Sequence, residues 1–186
     1  MFIVLYDKHF LCYTHYGDYM LIKILRVFAK CLIIKKETLK QFEKTKLKPL
    51  VLEQLIPKFK DGTFEIYHIR IFGKNAAQAY IFYDLDNKNF ADGKSTCYVC
   101  NVFVHPKLRR LGFCTRCMQT LMQTAKSKGF SKMVLGVMEE NTKARRLYKK
   151  LGFAETGEKY GYDAVIKDKN GNKVPQKEYL LMCCEL

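Results

Sequence analysis

The sequence predicts a mixed α/β domain, and three observations support that fold class. Residues 64–104 hold three runs rich in aromatic and β-branched side chains, separated by turn-forming segments. Residues 113–126 then repeat apolar side chains at helical spacing. The short apolar run MVLGV follows at 133–137, as expected of a strand buried on both faces. A strand meander extended by a β-α-β unit accounts for all three observations.

The bulk composition favours one folded domain. At 186 residues and 48% hydrophobic content the chain can bury a core, and no Pro-, Gly- or Ser-rich linker divides it. We expect a single domain over residues 1–186, with residues 1–30 as a candidate N-terminal extension. The eight cysteines, and a start without the basic segment of a secretory signal, indicate reduced thiols and a cytoplasmic location.

Charge and hydropathy narrow the classes of partner. Lys23, Arg26 and Lys30 interrupt the longest apolar run, so we expect no membrane span. The formal net charge of +15 attracts phosphate-bearing partners of any kind. Its cations are spread along the chain rather than gathered in a block, which disfavours nucleic acid as the partner and leaves nucleotide cofactors open.

The first half of the sequence predicts helices followed by strands. A helix is predicted from about Asp18 to Lys30, then a short strand at 32–34 and helical patterns at 37–44 and 49–59. Pro49 is well placed as a first helical residue. The three following runs, FEIYHIRIF, QAYIFYDLD and STCYVCNVFV, predict an antiparallel meander over 64–72, 78–86 and 95–104.

The second half alternates helices and strands. An amphipathic helix begins at Phe113 and is closed by Gly129. Asn141 can cap a second helix that runs through Lys150. Two strand-like runs follow at 153–166 and 178–186, and the Asn-Gly pair at 170–171 predicts a hairpin between them.

Two Cys-x-x-Cys pairs, Cys97/Cys100 and Cys114/Cys117, have a spacing close to that of zinc sites. Residues three apart in a strand point to opposite faces, so the first pair cannot grip one ion unless the strand breaks. The second pair falls on a helix, where a thiol is usually a small packing residue. We therefore expect no bound metal.

The residues between the pairs are more specific. NVFVHPKLRRLGFCTRC, at 101–117, reads as a strand, a Pro-containing turn, a run of cations, a glycine and a helix start. A helix N-terminus offers unpaired N–H groups and a positive dipole end, and glycine allows an anion to approach the backbone. This pattern predicts a pyrophosphate cradle, with Lys107, Arg109 and Arg110 adding charge at its lip.

The chain from Val104 to Phe153 resembles the GNAT superfamily of N-acetyltransferases. Arg109, Gly112 and Cys114 fall on the R/Q-x-x-G-x-G/A signature of the acetyl-CoA site, where the family prefers Gly or Ala at the last position. The segment 140–153 is similar to the second signature, N-x-x-A-x-x-L-Y-x-x-x-G-F, and matches it at Asn141, Ala144, Leu147, Tyr148, Gly152 and Phe153. The resemblance implies a GNAT-like acyl-CoA N-acyltransferase fold: a central, mostly antiparallel sheet with a β-α-β acetyl-CoA site, flanked by helices.

The resemblance also implies a reaction and a site. An acceptor amine would attack the thioester of acetyl-CoA directly, and Tyr148 would be the general acid that protonates the departing thiolate. Backbone amides from Arg110 to Thr115 would hold the pyrophosphate, while the strand edge at Phe103–Val104 and the side chain of Asn141 would contact the pantetheine arm. The implied cofactor-binding residues are Phe103, Val104, Arg109, Arg110, Leu111, Gly112, Phe113, Cys114, Thr115 and Asn141.

The general base and the acceptor stay open at this stage. The strand before the cradle has no carboxylate, and the remaining candidates are a water chain or one of His68, Asp84, His105, Glu139 and Glu140. The acceptor is expected to be a small-molecule or peptide amine, and a homodimer is open. A non-catalytic acyl-CoA or nucleotide-binding module is the main alternative, favoured by Cys114 and by the missing carboxylate. A basic nucleic-acid-binding protein is the second, favoured only by charge.

Overall fold

The computed structural model describes residues 34–44, 49–71, 74–161 and 178–186. The helix predicted near 18–30, most of the strand at 32–34 and the turn at 170–171 lie outside these ranges. The strands are β1 (Lys35–Lys36), β2 (Phe64–Ile71), β3 (Lys74–Phe82), β4 (Thr96–Val104), β5 (Lys132–Met138), β6 (Ala154–Tyr160) and β7 (Tyr179–Glu185). The helices are α1 (Leu39–Phe42), α2 (Pro49–Lys60), α3 (Phe113–Ser127) and α4 (Thr142–Lys150), with a 3-10 turn at Pro106–Leu108.

The strands form one sheet in the order β1-β2-β3-β4-β5-β7-β6. Neighbouring strands are antiparallel except β4 and β5, which are parallel and joined by α3. The mixed fold class, the meander and the β-α-β unit are confirmed. The order of the last two strands places β7 between β5 and β6, so the final strand of the chain pairs with β5.

Strand β3 begins at Lys74, four residues before the predicted start, and ends at Phe82, four residues before the predicted end. The predicted start was wrong because Ala76 and Ala77 have low strand propensity, yet both are buried beneath Leu111 and Phe113. At the other end the chain leaves the ladder after Phe82. Packing against the loop before α3 therefore overrides local propensity here.

Local sequence signals set the starts of the described helices, whereas α1 is shorter than the predicted pattern at 37–44. The Thr38 side chain accepts a hydrogen bond from the Gln41 N–H and completes a capping box at α1. Pro49 is the first residue of α2. Asn141 caps α4, where its Oδ1 accepts a hydrogen bond of 3.2 Å from the Ala144 N–H. Gly112 is the N-cap of α3 and adopts φ +88°.

The sheet has two differently packed faces, which we name by their helices. On the α3 face, Val99, Leu135 and Met182 lie in one buried cluster with residues of α3 and with Tyr148 of α4. On the α2 face, Phe64 and Tyr98 pack with Phe42 of α1 and with partly buried residues of α2. Alternation along β4 assigns Val99 to the first face and Tyr98 to the second.

The sheet opens between its two parallel strands. Their pairing begins at Thr96↔Lys132 and ends at Val99↔Leu135, although β4 continues to Val104 and β5 to Met138. A register shift in the β3–β4 ladder and a φ of +47° at Asn101 mark a bulge just beyond the last pair. The bulge bends β4 away from β5 and leaves the facing backbone edges of both strands without a ladder partner among the described strands.

Within the described ranges, no helix has the length and apolar content that a membrane span requires.

Candidate active site

A cavity of about 390 Å³ occupies the opening between β4 and β5. Both faces of the sheet contribute to it, because Tyr148 reaches it from the α3 face and Tyr98 from the α2 face. Its lining consists of Tyr98, Val99, Cys100, Asn101, Val102, Leu135, Gly136, Val137, Met138, Asn141, Ala144, Tyr148, Tyr160 and Tyr179. None of these described residues carries a formal charge at neutral pH.

The loop between β4 and α3 has an unusual backbone. Arg110 adopts φ +65° and Gly112 adopts φ +88°. A non-glycine residue at positive φ is strained, and such strain is concentrated at functional sites. Loops of this kind turn their backbone N–H groups toward a common point and bind anions, and α3 begins directly after this one.

The space at the N-terminus of α3 is open. A Cβ added to Gly112 would have no heavy atom within 4 Å, so the backbone here can be approached closely from outside. Glycine is required because its φ is positive, and it leaves room for a phosphate against the first N–H groups of the helix. The residues present therefore fit the pyrophosphate of a CoA thioester.

The side chains of this loop divide into anchors and exposed cations. Leu111 and Phe113 are buried in a small cluster with Ile69 and Cys117, and they fix the loop to the sheet. Arg109 and Arg110 are exposed. The Arg109 Nε donates a hydrogen bond of 3.4 Å to the Val104 carbonyl, which holds that side chain against the end of β4.

Phe103 and Val104 lie on β4 beyond the last pair with β5. The backbone edge of these two residues that faces β3 is occupied, since they pair with Gln78 and Ala77. Phe103 is the one large hydrophobic residue of the described chain that is markedly exposed, at 38%. The edge that faces β5 is thus available for the strand-like contact predicted for a pantetheine arm.

Tyr148 and Asn141 both line the cavity. Tyr148 is buried and packs against Phe153, with ring centroids 5.9 Å apart. Burial, and to a lesser degree the neighbouring Cys114, raises the pKa of Tyr148 above its ordinary value, so the phenol stays protonated. A protonated phenol can donate a proton to a leaving group.

Cys114 and Thr115 lie half-buried in the first turn of α3. Cys114 packs against the core of the α3 face, and burial raises the pKa of its thiol to about 11. The Cys114 thiol is therefore neutral within this packing.

The four cysteines of the two Cys-x-x-Cys pairs have separate environments. Cys97 lies in the core of the α3 face and Cys100 packs on the α2 face, as strand alternation predicts. Cys117 is buried on α3. Among the described residues, no three His, Cys, Asp or Glu side chains are grouped closely enough to hold a metal ion.

None of the five candidate bases lines the cavity. Glu139 is exposed and forms an ion pair of 2.6 Å with Lys159. Asp84 forms an ion pair with Lys88, and Glu140 and His105 are exposed. His68 is buried on β2, two strands away from β4.

The sequence pointed to Tyr148 but did not show that Tyr98, Tyr160 and Tyr179 come together at the same cavity. Tyr98 and Tyr160 form a hydrogen bond between their hydroxyls of 2.6 Å, and Tyr160 stacks on Tyr179 with centroids 5.5 Å apart. These residues come from three strands that are distant in the sequence. Tyr98 was visible only as a strand former between two cysteines, and no spacing rule connects it to Tyr160.

Comparison with known proteins agrees with this geometry. The model of the acetyltransferase (GNAT) family matches residues 37–153, which is well over half of the chain. No curated protein matches the chain in sequence.

Solved structures share the fold at low identity. A GNAT family acetyltransferase from Elizabethkingia anophelis with acetyl-CoA bound is 21% identical and has a TM-score of 0.56, covering 83% of this chain and 98% of its own. A ribosomal-protein-alanine N-acetyltransferase from Brucella melitensis is 17% identical with a TM-score of 0.61, covering 83% and 100%. A Bacillus subtilis acetyltransferase in complex with CoA is also 17% identical, with a TM-score of 0.56 and coverages of 83% and 99%.

Proposed function

The chain belongs to the GNAT family of acetyltransferases, and from this we propose that it transfers the acetyl group of acetyl-CoA to a primary amine in the opening between β4 and β5. The observation that supports this most strongly is the proximity of Tyr148, which lines the cavity, to Cys114 in the first turn of α3. Three features of this region support the proposal. These are an unpaired β4 edge, a helix N-terminus with an open glycine, and a buried tyrosine in the cavity.

The cosubstrate would be bound mainly by backbone groups. The N–H groups from Arg110 to Thr115 would hold its pyrophosphate, and exposed Arg109 and Arg110 would add charge. The edge of β4 at Phe103–Val104 would pair with the amide groups of the pantetheine arm, as an added strand would. The Asn141 Oδ1 is occupied by the cap of α4, so its Nδ2 is the group that could donate to the same arm.

The chemistry then needs two proton movements. The amine nitrogen forms a bond to the acetyl carbon, the carbon–sulfur bond breaks, and the amine loses one proton. Tyr148 would donate its proton to the departing sulfur, a role that fits a phenol kept protonated by burial. Acetyl-CoA and amine thereby give an acetylated amine and CoA.

The test is an assay of CoA release by the purified protein with acetyl-CoA and a panel of amines. We expect release that depends on the amine, with acetylated product detected by mass spectrometry. Direct binding of acetyl-CoA should be measured in parallel by calorimetry. If acetyl-CoA does not bind, the proposal is wrong.

A non-catalytic acyl-CoA-binding module is the second candidate. It is favoured by one observation: no Asp, Glu or His is among the described residues that line the cavity. The same assay separates the two, because a binding module would bind acetyl-CoA and release no CoA with any amine of the panel.

A further inference from the structure

Four aromatic residues form one wall of the cavity region on the α2 face. Phe90 lies 4.9 Å from Tyr160 and 5.2 Å from Tyr98 between ring centroids, and Tyr160 stacks on Tyr179. Three of these four residues, Tyr98, Tyr160 and Tyr179, line the cavity itself. We call Phe90, Tyr98, Tyr160 and Tyr179 together the tyrosine wall.

The Tyr98–Tyr160 hydrogen bond lies beside the point where the sheet begins to open. Tyr98 pairs with Val134 of β5, one position before the last β4–β5 pair, while Tyr160 ends β6 at the far side of β7. Tyr160 reaches across β5 at Gly136, where an added Cβ would overlap its hydroxyl. Because only glycine leaves room for this contact, the position of the Tyr160 hydroxyl depends on residue 136.

The tyrosine wall and Tyr148 lie on opposite faces of the sheet, and both reach the same cavity. A transfer reaction needs a proton donor on the side of the leaving group and a proton acceptor on the side of the incoming amine. On the proposed function, Tyr148 is the donor. The hydroxyls of Tyr98 and Tyr160, which we call the hydroxyl pair, therefore lie on the side from which the amine would arrive.

From this juxtaposition we infer that the tyrosine wall is the acceptor subsite, and that it takes a singly charged primary amine carried on an aromatic or other apolar group. The inference rests on the proposed function of the same cavity. The Tyr98 and Tyr160 hydroxyls bind the amine nitrogen, and the ring faces of Tyr160 and Tyr179 bind the apolar group.

The chemical class follows from charge and surface type. An ammonium group is attracted to the faces and hydroxyls of aromatic rings. The described lining has no carboxylate, so a polyamine or an aminoglycoside would bring further cations into the cavity without a counter-charge. An acceptor with an aromatic ring can instead stack on the tyrosine wall, and an offset or tilted arrangement of the rings stabilises that contact.

The hydroxyl pair also provides a route for the proton. The bound ammonium first passes one proton through the two hydroxyls to solvent, which leaves a neutral amine that can attack the thioester. As the nitrogen–carbon bond forms, the amine passes a second proton to a tyrosine oxygen, and that hydroxyl releases its own proton through its neighbour to solvent. Each phenol regains its starting state, since a hydroxyl both accepts and donates. No carboxylate base is needed for this step.

The experiment compares 2-phenylethylamine, spermidine and glucosamine as acceptors. We expect kcat/KM for 2-phenylethylamine to exceed that of the other two by about tenfold or more. Tyr160→Ala should remove most of that preference by raising the KM for 2-phenylethylamine, and Gly136→Ala should do the same by displacing the hydroxyl. The Kd of acetyl-CoA should stay unchanged in both variants.

Two further variants test the hydroxyl pair. Tyr98→Phe and Tyr160→Phe keep the rings, so we expect a lower kcat with the acceptor preference retained. Tyr67→Phe is the matched control, because Tyr67 also loses a hydroxyl hydrogen bond, of 3.0 Å to Glu65, but lies on the α3 face away from the cavity lining. Thermal unfolding of each variant shows whether a loss of rate is a loss of fold.

The outcomes separate this inference from the proposed function. If acetyl-CoA binds and spermidine or glucosamine is the preferred acceptor, the subsite inference fails while the acetyltransferase proposal stands. The same holds if Tyr160→Ala and Gly136→Ala leave every acceptor KM unchanged. Failure of acetyl-CoA to bind to the unmodified protein would instead reject the proposed function.

Discussion

The two faces of the sheet handle polar groups in different ways. On the α3 face, the buried carboxylate of Glu65 accepts hydrogen bonds from the hydroxyls of Tyr67 and Tyr83 and forms ion pairs with Lys36 and Lys128. On the α2 face, the Nδ1 of buried His68 has no hydrogen-bond partner among the described residues. A buried carboxylate with four partners lies on one face, and a buried imidazole nitrogen without a partner among the described residues lies on the other.

The proposed site follows the same division. On the α3 side it uses backbone N–H groups, an open glycine and a buried phenol, all held by a closely packed core. On the α2 side it uses aromatic rings and hydroxyls brought together by strands that are distant in the sequence. On the proposed function, acetyl transfer therefore relies mainly on groups of the α3 face, and the acceptor is selected on the α2 face.

The largest effect is expected at Tyr148. Tyr148→Phe keeps the ring that packs on Phe153 and removes only the proposed acid, so we expect kcat to fall about 100-fold with little change in the Kd of acetyl-CoA. Steady-state kinetics and calorimetry measure the two quantities. An unchanged kcat would remove Tyr148 from the mechanism and weaken the assignment of the leaving group to the α3 face.

Glu65 tests whether its network of four partners stabilises the α3 face. In Glu65→Gln the ammonium groups of Lys36 and Lys128 lose their charged partner at a buried site, so we expect unfolding to need about 2–3 kcal/mol less free energy. Urea denaturation at neutral pH measures this change.

The pH dependence of Glu65 gives an independent check. Burial alone would raise the pKa of Glu65, but hydrogen bonds from Lys36, Lys128 and Tyr83 outweigh it and lower the pKa. The contribution of Glu65 to stability is therefore present above the ordinary Glu pKa and is lost as the pH falls through the lowered value. Glu155→Gln is the control, since Glu155 also pairs with two cations but at the surface, and we expect a much smaller change there.

The α3 side of the site could be predicted from sequence because its parts are local. The cap at Asn141, the glycine at 112 and the apolar spacing of α3 each depend on residues within a few positions of one another. A backbone cradle needs only a strand, a turn, a glycine and a helix in that order. These are the signals that a single sequence carries most directly.

The α2 side could not be predicted because its parts meet only in the folded sheet. The Tyr98–Tyr160 contact needs the strand order β5-β7-β6, which places Tyr160 over Gly136. The sequence shows Gly136 only as a break in an apolar run. The start of β3 was wrong for the same reason, since the burial of Ala76 and Ala77 depends on a loop more than 30 positions away.

The open glycine of the cradle allows a controlled test of the backbone site. Gly112→Ala places a methyl group at φ +88° in the space proposed for a phosphate, so we expect the Kd of CoA to rise about tenfold. Gly129→Ala is the matched control, because Gly129 has the same φ of +88° and open surroundings but follows the C-terminus of α3.

Both glycine variants should lose stability by about 1 kcal/mol, since each forces an alanine into a left-handed conformation. Only Gly112→Ala should lose affinity for CoA. Equal losses of affinity in the two variants would mean that helix strain, and not the cradle, accounts for the effect. An unchanged Kd in both would place the pyrophosphate elsewhere.

The smallest effect is expected at His68, on the α2 face. Burial, followed by the charges of Arg70 and Lys35, lowers the pKa of His68 below its ordinary value. In the unfolded chain the imidazole therefore binds a proton at a higher pH than in the folded protein. Stability is retained above the ordinary His pKa and decreases as the pH falls from there toward the lowered value.

Thermal unfolding between about pH 7.5 and pH 5 should show this decrease, and His68→Gln should flatten it because the neutral amide does not titrate in that range. His105→Gln is the control for the substitution itself, since His105 is an exposed histidine at the end of β4. If His68→Gln retains the full slope, the folded protein tolerates a charged imidazole at this position. The two faces would then not differ in how they treat a buried charge, and the contrast between them would rest on the tyrosine wall alone.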